Sequence, residues 1–282
     1  MAARVAQLMT DATTVRRALA QAGLAPIDAQ ALLAHVLSRD RAWLVAHATD
    51  PLTADQVRTF FALARRRREG EPVAYLTGVR EFFGLPLAVD RRVLIPRPET
   101  ETLVECCLRT LPADRPLRVL DLGTGSGAIA LAIAHARPRA TVVATDNSPD
   151  ALAVARGNAA GLGLSNVEWL HADWFDALGA ARFDGIVSNP PYVAAGDAHL
   201  AEGDVRFEPP QALVSGLDGL DALRVIVAGA GDHLVHGGWL AVEHGYDQAA
   251  AVRGLLQQAG FGELESLRDL SGIPRVAVGR TV

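Results

Sequence analysis

The sequence contains no lysine, only two cysteines and no long apolar run, and each absence limits what the protein can be. All 27 basic residues are arginine, which we interpret as a compositional bias, because alanine and glycine are abundant as well. Cys106 and Cys107 are adjacent, so they cannot form an ordinary intrachain disulfide and are not spaced as a metal knuckle. No stretch of about 18 apolar residues occurs, which predicts that no segment spans a membrane. The first residues also lack the apolar stretch of a signal peptide, and together these features favour the reducing cytoplasm.

The sequence does contain enough apolar residues for a sizeable core. Half of the 282 residues are apolar, and this length predicts one large domain or two modest ones. The net charge of −5 is unevenly distributed: residues 1–98 carry fourteen arginines against nine acidic residues, and residues 99–282 carry thirteen against twenty-three. An acidic balance is unfavourable for a general nucleic-acid binder. The change of sign favours a domain boundary, and we expect a helical N-terminal domain over 1–72, a β-hairpin linker over 73–97 and a larger domain over 98–282.

The N-terminal part has the pattern of a helical domain. Apolar residues at helical spacing predict helices over 14–22 and 29–37. Thr53 and Gln56 form a capping box, and the helix that follows ends in the run Arg65–Arg68. Four arginines in a last turn suit the negative end of a helix dipole. The run is therefore either a solvated helix end or a docking surface for an acidic partner.

Further along the chain, a short aromatic segment gives way to alternating strands and helices. Residues 73–89 hold β-forming residues bounded by glycines, which predicts a hairpin. Pro98 and the acidic residues after it predict a helix that ends near Leu111. From Pro116 onward the alternation is typical of a doubly wound α/β fold whose sheet is mostly parallel. The expected strands cover residues 117–122, 141–145, 167–170, 183–188, 239–243 and 275–278, and the expected helices cover 129–136, 150–160, 221–233 and 248–260.

A glycine-rich loop at residues 123–127 follows the first of these strands and lets the backbone approach a ligand closely. The next strand ends in Asp146, whose carboxylate can accept both hydroxyls of a ribose. Asp121 stands directly before the loop, where an acid opposes a pyrophosphate but suits a cationic cofactor such as S-adenosylmethionine. After the third strand, Asp173 and Trp174 are placed to bind the edge and the face of an adenine. Two of these residues also have structural alternatives, Asp121 as a turn cap and Trp174 as part of the core.

The fourth strand ends in the motif Asn189-Pro190-Pro191-Tyr192, beside the same crevice as the glycine loop. The Asn189 side-chain oxygen and the Pro190 carbonyl can accept both hydrogens of a planar NH₂ group, and the ring of Tyr192 can stack on it. This motif predicts methylation of a nitrogen conjugated to a carbonyl or a heteroaromatic ring, with a simple proline turn as its structural alternative. The expected catalytic residues are Asn189, Pro190 and Tyr192, the expected substrate-binding residues are these three and Pro191, and the expected cofactor-binding residues are Asp121, Gly123, Thr124, Gly125, Ser126, Gly127, Asp146, Asp173, Trp174 and Asn189.

Several other functions can be weighed against this motif. A nucleic-acid N-methyltransferase acting on adenine N6 or guanine N2 uses the same turn but needs a basic mouth, whereas residues 99–282 are acidic. A non-catalytic, cofactor-bound scaffold has no need of an intact Asn189 turn, and a nicotinamide dehydrogenase conflicts with Asp121. His171, His199 and His244 form no metal-ligand cluster, so no metal is expected. The segment 243–245 ends a strand at the same edge and could line the pocket.

Six segments of the chain carry a family resemblance. They are residues 71–78, 81–84, 94–101, 121–127, 188–192 and 204–209. With them the chain resembles, over nearly its whole length, the protein-(glutamine-N5) methyltransferases of bacterial peptide chain release factors, the PrmC/HemK family. The Asn-Pro-Pro-Tyr motif is shared with DNA adenine-N6 and some RNA methyltransferases, whereas the segments 81–84 and 94–101 are typical of a far narrower range of proteins.

The resemblance implies a fold and a substrate. The fold is expected to be a class I (Rossmann-like) S-adenosylmethionine-dependent methyltransferase domain, joined by a β-hairpin to a small all-helical docking domain. The substrate is expected to be the glutamine of the Gly-Gly-Gln motif of release factors, with no direct nucleic-acid partner, no membrane and a monomeric protein. Residues 123–127 would hold the methionine part of the cofactor, Asp146 the ribose, Asp173 and Trp174 the adenine, and 189–192 the glutamine amide. The sequence leaves the roles of Arg97, Arg206, Glu208 and the Arg65–Arg68 run open.

Overall fold

The computed structural model describes residues 13–282, so the first twelve residues of the expected N-terminal domain (1–72) lie outside the described part. The chain divides after Gly78 into two compact units. The first unit contains helices α1 (Val15–Gln21), α2 (Pro26–Leu37), α3 (Arg41–Ala46), α4 (Ala54–Arg68) and α5 (Val73–Thr77). The second contains β1 (Val79–Phe82), β2 (Leu85–Ala88), α6 (Glu101–Thr110), β3 (Leu117–Leu122), α7 (Ala128–Ala136), β4 (Ala140–Asp146), α8 (Pro149–Leu162), β5 (Val167–His171), β6 (Phe183–Ser188), α9 (Asp221–Ala230), β7 (Leu234–Glu243), α10 (Ala249–Gln258), β8 (Gly262–Arg268) and β9 (Pro274–Arg280). Within residues 13–282, no helix combines the length and the hydrophobicity that crossing a membrane requires.

Helices α1 and α4 begin at the predicted positions, with Thr14 and Thr53 as N-caps, whereas α2 begins before the expected residue 29, at Pro26, where proline suits the first turn. The Thr53 hydroxyl accepts from the Gln56 amide and the Gln56 side chain accepts from the Thr53 amide, so the predicted capping box is confirmed at the start of α4. Helix α3 has no clear signal in the apolar pattern, but its N-cap Asp40 accepts a hydrogen bond of 2.7 Å from the Trp43 amide. The apolar faces of these helices enclose one small core, which includes Val15, Ala18, Leu32, Leu33, Leu44 and Phe60.

The arginine run at the end of α4 bonds within its own unit. Arg66 forms a two-pronged ion pair with the buried Glu71, at 2.7 and 2.8 Å. Arg67 pairs with Asp28 at 2.8 Å, and Arg68 donates to the Ala22 carbonyl at 2.6 Å. At least three of the four arginines therefore hold the end of α4 against its neighbours, so the run is less solvated than a free helix end. Docking of an acidic partner at this run remains a prediction, and exchange of all four charges would first destabilise the unit.

The predicted hairpin is shorter than expected. Residues 73–77, for which the sequence predicts part of the hairpin, form the one-turn helix α5, which ends at Gly78 in the left-handed region. The hairpin consists of β1 and β2, with Phe82 paired to Leu85 across the turn. Val73, Tyr75 and Thr77 are β-forming residues, but the apolar side chain of Leu76 joins the core of the first unit, and this burial outweighs their weak strand preference.

The second unit is built on a seven-stranded sheet in the order β5-β4-β3-β6-β7-β9-β8. The five strands from β5 to β7 are parallel, and β9 runs antiparallel to both β7 and β8, which confirms the expected mostly parallel sheet. Helices cover both faces of the sheet. Alternate residues of a strand, such as Val119 and Leu120, therefore belong to two different cores. The chain leaves β3 toward β4 but later returns to β3 through β6, and such a reversal opens a crevice at the carboxyl ends of the strands.

A buried asparagine fixes the hairpin to the glycine-rich loop. The Asn158 side chain on α8 exchanges two hydrogen bonds with the Ala88 backbone at the end of β2, at 2.7 and 3.0 Å. It also donates to the Ser126 carbonyl in the loop at 2.9 Å. Because the amide of Asn158 is buried, each of these bonds would be costly to break. The chain that continues from β2 is thereby held in register with the loop after β3.

Candidate active site

The glycine-rich loop turns from the end of β3 into α7, as the sequence predicts. Gly127 is the N-cap of α7 and lies in the left-handed region, with φ +84°. A Cβ atom at this position would approach Leu131 Cδ1 to 3.0 Å and Ala155 Cβ to 3.2 Å. Glycine is therefore required here both by the backbone conformation and by the contact between α7 and α8. This turn places the start of α7 at the crevice, which Ala128 and Ile129 line.

Asp121, at the end of β3, is fully buried and only half satisfied. Its Oδ2 accepts from the Thr124 hydroxyl at 2.7 Å and from the Ala130 amide at 3.2 Å, so the turn-cap role is real. Its Oδ1 has no hydrogen-bond partner within the described residues. Burial raises the pKa of Asp121 to about 7, against the opposing effect of these two bonds. The residue itself does not line the crevice, although its neighbours Gly123 and Thr124 do.

Asp146 lies where the sequence predicts, at the end of β4 on the wall of the crevice. Its Oδ2 accepts from the Gly125 amide and its Oδ1 from the Ser148 amide, both at 2.9 Å. Each oxygen keeps a second lone pair for a further donor. Burial raises the pKa of Asp146, and the two amides oppose the rise.

Asp173 and Trp174 follow β5 and both line the crevice. The Trp174 backbone has φ +51°, a conformation that non-glycine residues rarely adopt. Its ring packs partly against the core behind the sheet, and a Cβ on Gly123 would lie 3.7 Å from it. Trp174 is therefore both a core residue and a wall of the crevice, so the two interpretations of the sequence are compatible.

The Asn-Pro-Pro-Tyr turn follows β6 directly, but its four residues are not equally placed. Asn189 and Pro191 line the crevice, whereas Pro190 is buried and neither it nor Tyr192 is part of the lining. The Asn189 Nδ2 donates to the Thr100 hydroxyl at 3.0 Å, which leaves Oδ1 free of that bond. The Tyr192 hydroxyl donates to Glu243 Oε1 at 3.2 Å, and burial raises the pKa of Tyr192. Stacking of the Tyr192 ring on a substrate stays a prediction.

Two residues behind this turn have no role in the sequence analysis. Thr100 precedes α6 and lines the crevice, and Glu243 ends β7 at 1% exposure. Burial raises the pKa of Glu243 to about 7, and the hydroxyls of Thr100 and Tyr192 oppose the rise. An acid at the end of the apolar strand Trp-Leu-Ala-Val-Glu is the signal that could have identified it. The segment 243–245 supplies no lining residue to the crevice.

Two segments far apart in sequence close the crevice from the sides. Arg92, Val93, Leu94 and Pro96 line one side, and Pro209, Gln211 and Ala212 line the other. Arg97 donates to the buried Glu208 Oε2, and the Ile95 amide donates to Oε1 of the same carboxylate at 3.4 Å. Arg97 and Glu208 join the segments 92–96 and 209–212. We call this pair and the two segments the clasp. Burial raises the pKa of Glu208 and Arg97 opposes the rise, so the ion pair stabilises the buried charge.

Arg206 is placed differently from Glu208. Its guanidinium lies 5.0 Å from the ring centroid of Phe207, and Arg91 lies 5.6 Å from the same ring. The contact of Arg91 with Phe207 adds to the connection between the two segments of the clasp, whereas Arg206 and Phe207 are neighbours on one side of it. Arg206 itself does not line the crevice.

The crevice has an empty volume of about 940 Å³ including its mouth, which is large enough for a nucleoside-sized ligand. Its lining residues are Arg92, Val93, Leu94, Pro96, Thr100, Gly123, Thr124, Gly125, Ser126, Ala128, Ile129, Asp146, Asn147, Ser148, Ala151, Ala172, Asp173, Trp174, Asn189, Pro191, Pro209, Gln211 and Ala212. One cavity thus brings together four of the five loop residues (123–126) and the predicted residues Asp146, Asp173, Trp174 and Asn189. Within the described range, no group of three or more histidine, cysteine or acidic residues is arranged to hold a metal ion.

Two family models match the chain, one in each unit. Residues 13–78 match the PrmC N-terminal domain, and residues 100–206 match the methyltransferase small domain.

Relatives and a solved structure extend these matches. A release factor glutamine methyltransferase of Xylella fastidiosa strain Temecula1 is 54% identical over 254 residues, which is 90% of this chain and 92% of that protein. One of Bordetella pertussis is 53% identical over 268 residues, 95% and 99% of the two chains. The crystal structure of a methyltransferase from Pyrococcus furiosus aligns with a TM-score of 0.54 and 18% identity over 77% of this chain and 98% of that one, a likeness of fold alone.

Proposed function

The chain belongs to the family of release factor glutamine methyltransferases, and from this premise we propose that it methylates the side-chain amide nitrogen (N5) of the glutamine in the Gly-Gly-Gln motif of bacterial peptide chain release factors. The methyl donor is S-adenosylmethionine, and the larger unit has the class I, Rossmann-like fold of the enzymes that use it. We further propose that the protein acts as a monomer in the cytoplasm, where release factors act.

The residues around the crevice fit this cofactor. The buried Asp121 keeps one carboxylate oxygen without a partner, as suits a nearby cation rather than a pyrophosphate. The Asp146 oxygens can each accept a ribose hydroxyl beside their backbone bonds. Trp174 offers an aromatic wall and Asp173 a carboxylate for the adenine. We assign the methionine part to the loop 123–127.

One observation supports the amide substrate best. The Asn189 NH₂ group is bonded to Thr100, so the Asn189 oxygen is left to accept a hydrogen bond from a ligand in the crevice. We propose that this oxygen and the Pro190 carbonyl bind the two hydrogens of the glutamine NH₂ group, with Pro191 and Tyr192 beside its flat face. A substrate that offers two N–H donors matches two acceptors, whereas a carboxylate in the same place would be repelled.

The chain's contribution to the reaction is positioning and charge stabilisation. When bound, the cofactor supplies a strongly electrophilic methyl group on a sulfonium. An amide nitrogen is a poor nucleophile because its lone pair is delocalised, so the acceptors at 189 and 190 have to hold it in line with the methyl group, about 3 Å away. Such positioning can lower a barrier by roughly 7–11 kcal/mol. The same acceptors stabilise the positive charge that develops on nitrogen in the transition state. No strong general base is required, since the N–H proton becomes acidic once the methyl group is attached and can pass to water.

The substrate is tested directly by label transfer. Incubation with methyl-labelled S-adenosylmethionine and a purified release factor is expected to label the factor, and a factor with its motif glutamine replaced is expected to stay unlabelled. Label on the replaced factor would exclude the proposed substrate. Transfer to DNA or RNA under the same conditions would support nucleic-acid methylation instead.

Cofactor affinity is expected to depend on pH through Asp121. Without cofactor its pKa is about 7, so the carboxylate is charged above this pH and loses its attraction for a cation below it. Affinity for S-adenosylmethionine should therefore fall as the pH is lowered through about 7 and level off near the affinity of a neutral side chain at this position. In Asp121→Asn the affinity should be lower at about pH 8 and nearly independent of pH. Equilibrium dialysis checks both results, with the exposed Asp232→Asn as control, and a flat wild-type profile would contradict the assignment.

A further inference from the structure

Glu243 is a buried acid directly behind the Asn-Pro-Pro-Tyr turn. It ends β7, the strand next to β6, and only its Oε1 has a hydrogen-bond partner within the described residues, the Tyr192 hydroxyl. Its Oε2 is buried without one. A buried carboxylate oxygen is unfavourable unless a donor reaches it, and the neighbouring Thr100 hydroxyl is the group that can supply one.

Thr100 connects Glu243 to the residue that faces the crevice. Its buried hydroxyl accepts the hydrogen bond from Asn189 Nδ2 at 3.0 Å. The same hydroxyl lowers the pKa of Glu243 through a hydrogen bond, so it lies beside that carboxylate. A hydroxyl that accepts one hydrogen bond still has its own hydrogen to donate, and the unpartnered Oε2 is the acceptor at hand.

We propose that Glu243 and Thr100 are positioning residues, and that the negative charge on Glu243 fixes the direction of the hydrogen-bond chain that turns the Asn189 oxygen toward the substrate amide. This inference rests on the proposed function. A carboxylate can only accept, so Thr100 donates to it and in turn accepts from Asn189 Nδ2. The Asn189 oxygen must then face the crevice, where it meets the N–H groups of the substrate.

When Glu243 is protonated, the direction of this hydrogen-bond chain is no longer fixed. A carboxylic acid can donate to Thr100, which can then donate to Asn189, and the amide of Asn189 can turn its NH₂ group toward the crevice. Two NH₂ groups would then face each other, and the substrate amide would lose one acceptor. The proton on Glu243 thus controls which end of Asn189 the substrate meets.

Burial and the charged groups around Glu243 bring its pKa close to neutral pH. Arg275 on β9 favours the charged carboxylate, and Glu99 beside Thr100 opposes it. Tyr192 keeps its proton, and His244 is buried with a lowered pKa, so neither adds a charge at neutral pH. Burial is the largest effect and raises the pKa of Glu243 to about 7. Turnover at saturating cofactor should therefore rise with pH up to about 7 and be constant above it.

The test is the pH dependence of kcat, measured with a release factor and saturating S-adenosylmethionine. The wild type should gain about tenfold per pH unit below about 7. Glu243→Gln is neutral at every pH and should show a flat profile, with kcat about 10²-fold lower at about pH 8 and cofactor affinity unchanged. Glu168→Gln, which removes an exposed acid on β5, should follow the wild type. Saturating cofactor keeps the titration of Asp121 out of this profile.

A pair of threonine variants separates positioning from folding. Thr100→Ser keeps the hydroxyl and should retain the wild-type pH profile, whereas Thr100→Val should reproduce the flat, slow profile of Glu243→Gln. If Glu243→Gln does not fold, as judged by its melting curve, this pair decides the question alone. An acid limb that persists in Glu243→Gln, or in Thr100→Val, overturns the inference. A wild type that fails to methylate the release factor overturns the proposed function instead, so the two failures are distinguishable.

Discussion

Asn189→Ala is expected to abolish measurable methyl transfer while cofactor affinity largely survives. The side-chain oxygen of Asn189 is the acceptor that the Thr100 bond leaves toward the crevice, and alanine offers no group to replace it. Removal of one preorganised hydrogen-bonding group from a transition-state site costs about 10²–10³-fold in kcat. Here the loss should reach at least the upper value, because the same group also aligns the nitrogen for attack.

Single-turnover rates and cofactor dissociation constants, measured on the same preparation, test this expectation. Gln257→Ala, which removes an exposed amide on α10, should behave as the wild type in both. A loss of cofactor affinity as large as the loss of rate would mean that Asn189 mainly binds the cofactor. The assignment of its oxygen to the substrate amide would then be wrong.

Gly219→Ala should slow turnover about 10²-fold although residue 219 lies outside the crevice lining. Gly219 has φ +77°, and a Cβ there would lie 2.3 Å from the Tyr192 carbonyl oxygen and 2.7 Å from Gln248 Nε2. Gln248 Nε2 donates to that same carbonyl at 3.0 Å. The methyl group must therefore displace the end of the Asn-Pro-Pro-Tyr turn, and a shift of about 1 Å in such a site costs about 10²-fold.

A second glycine provides the matched control. Gly179 also has positive φ, +55°, but a Cβ there would have no atom within 4 Å. Both variants should lose about 1–2 kcal/mol of stability from the left-handed backbone, seen as a lower Tm in thermal unfolding, and Gly219→Ala should lose more because of its steric overlap. Only Gly219→Ala should lose kcat. Equal rates in the two variants would show that the turn tolerates the displacement.

The sequence predicts the central sheet well because its strands carry their own signal. Buried parallel strands are nearly continuous apolar runs, so β3, β4 and β6 stand out from the helices between them. β8 gives no such signal, since Gly262–Arg268 is mostly polar and lies at the sheet edge with several exposed side chains. Helix α5 is invisible for the opposite reason: its strand-forming residues adopt a turn of helix because Leu76 is buried in the first core.

Some residues of the site are likewise identified by a local sequence pattern, and others are not. The glycine loop, Asp146 and Asn189 are identifiable because each directly follows a strand, and strand ends meet at one edge. The partners of Asn189 are not, because Thr100 is 89 residues away in sequence. The Arg97–Glu208 pair spans 111 residues, so no spacing rule connects the two. Contacts of this kind depend on the assembled tertiary structure, and only the structure gives them.

The clasp also determines when, during synthesis, the site becomes complete. Translation runs from the N-terminus, so the segment 92–96 is synthesised more than a hundred residues before its anchor Glu208. A nascent chain that stops before Glu208 carries the glycine loop without an anchored wall beside it. The clasp can therefore enclose the crevice only after Glu208 has been synthesised, long after the glycine loop.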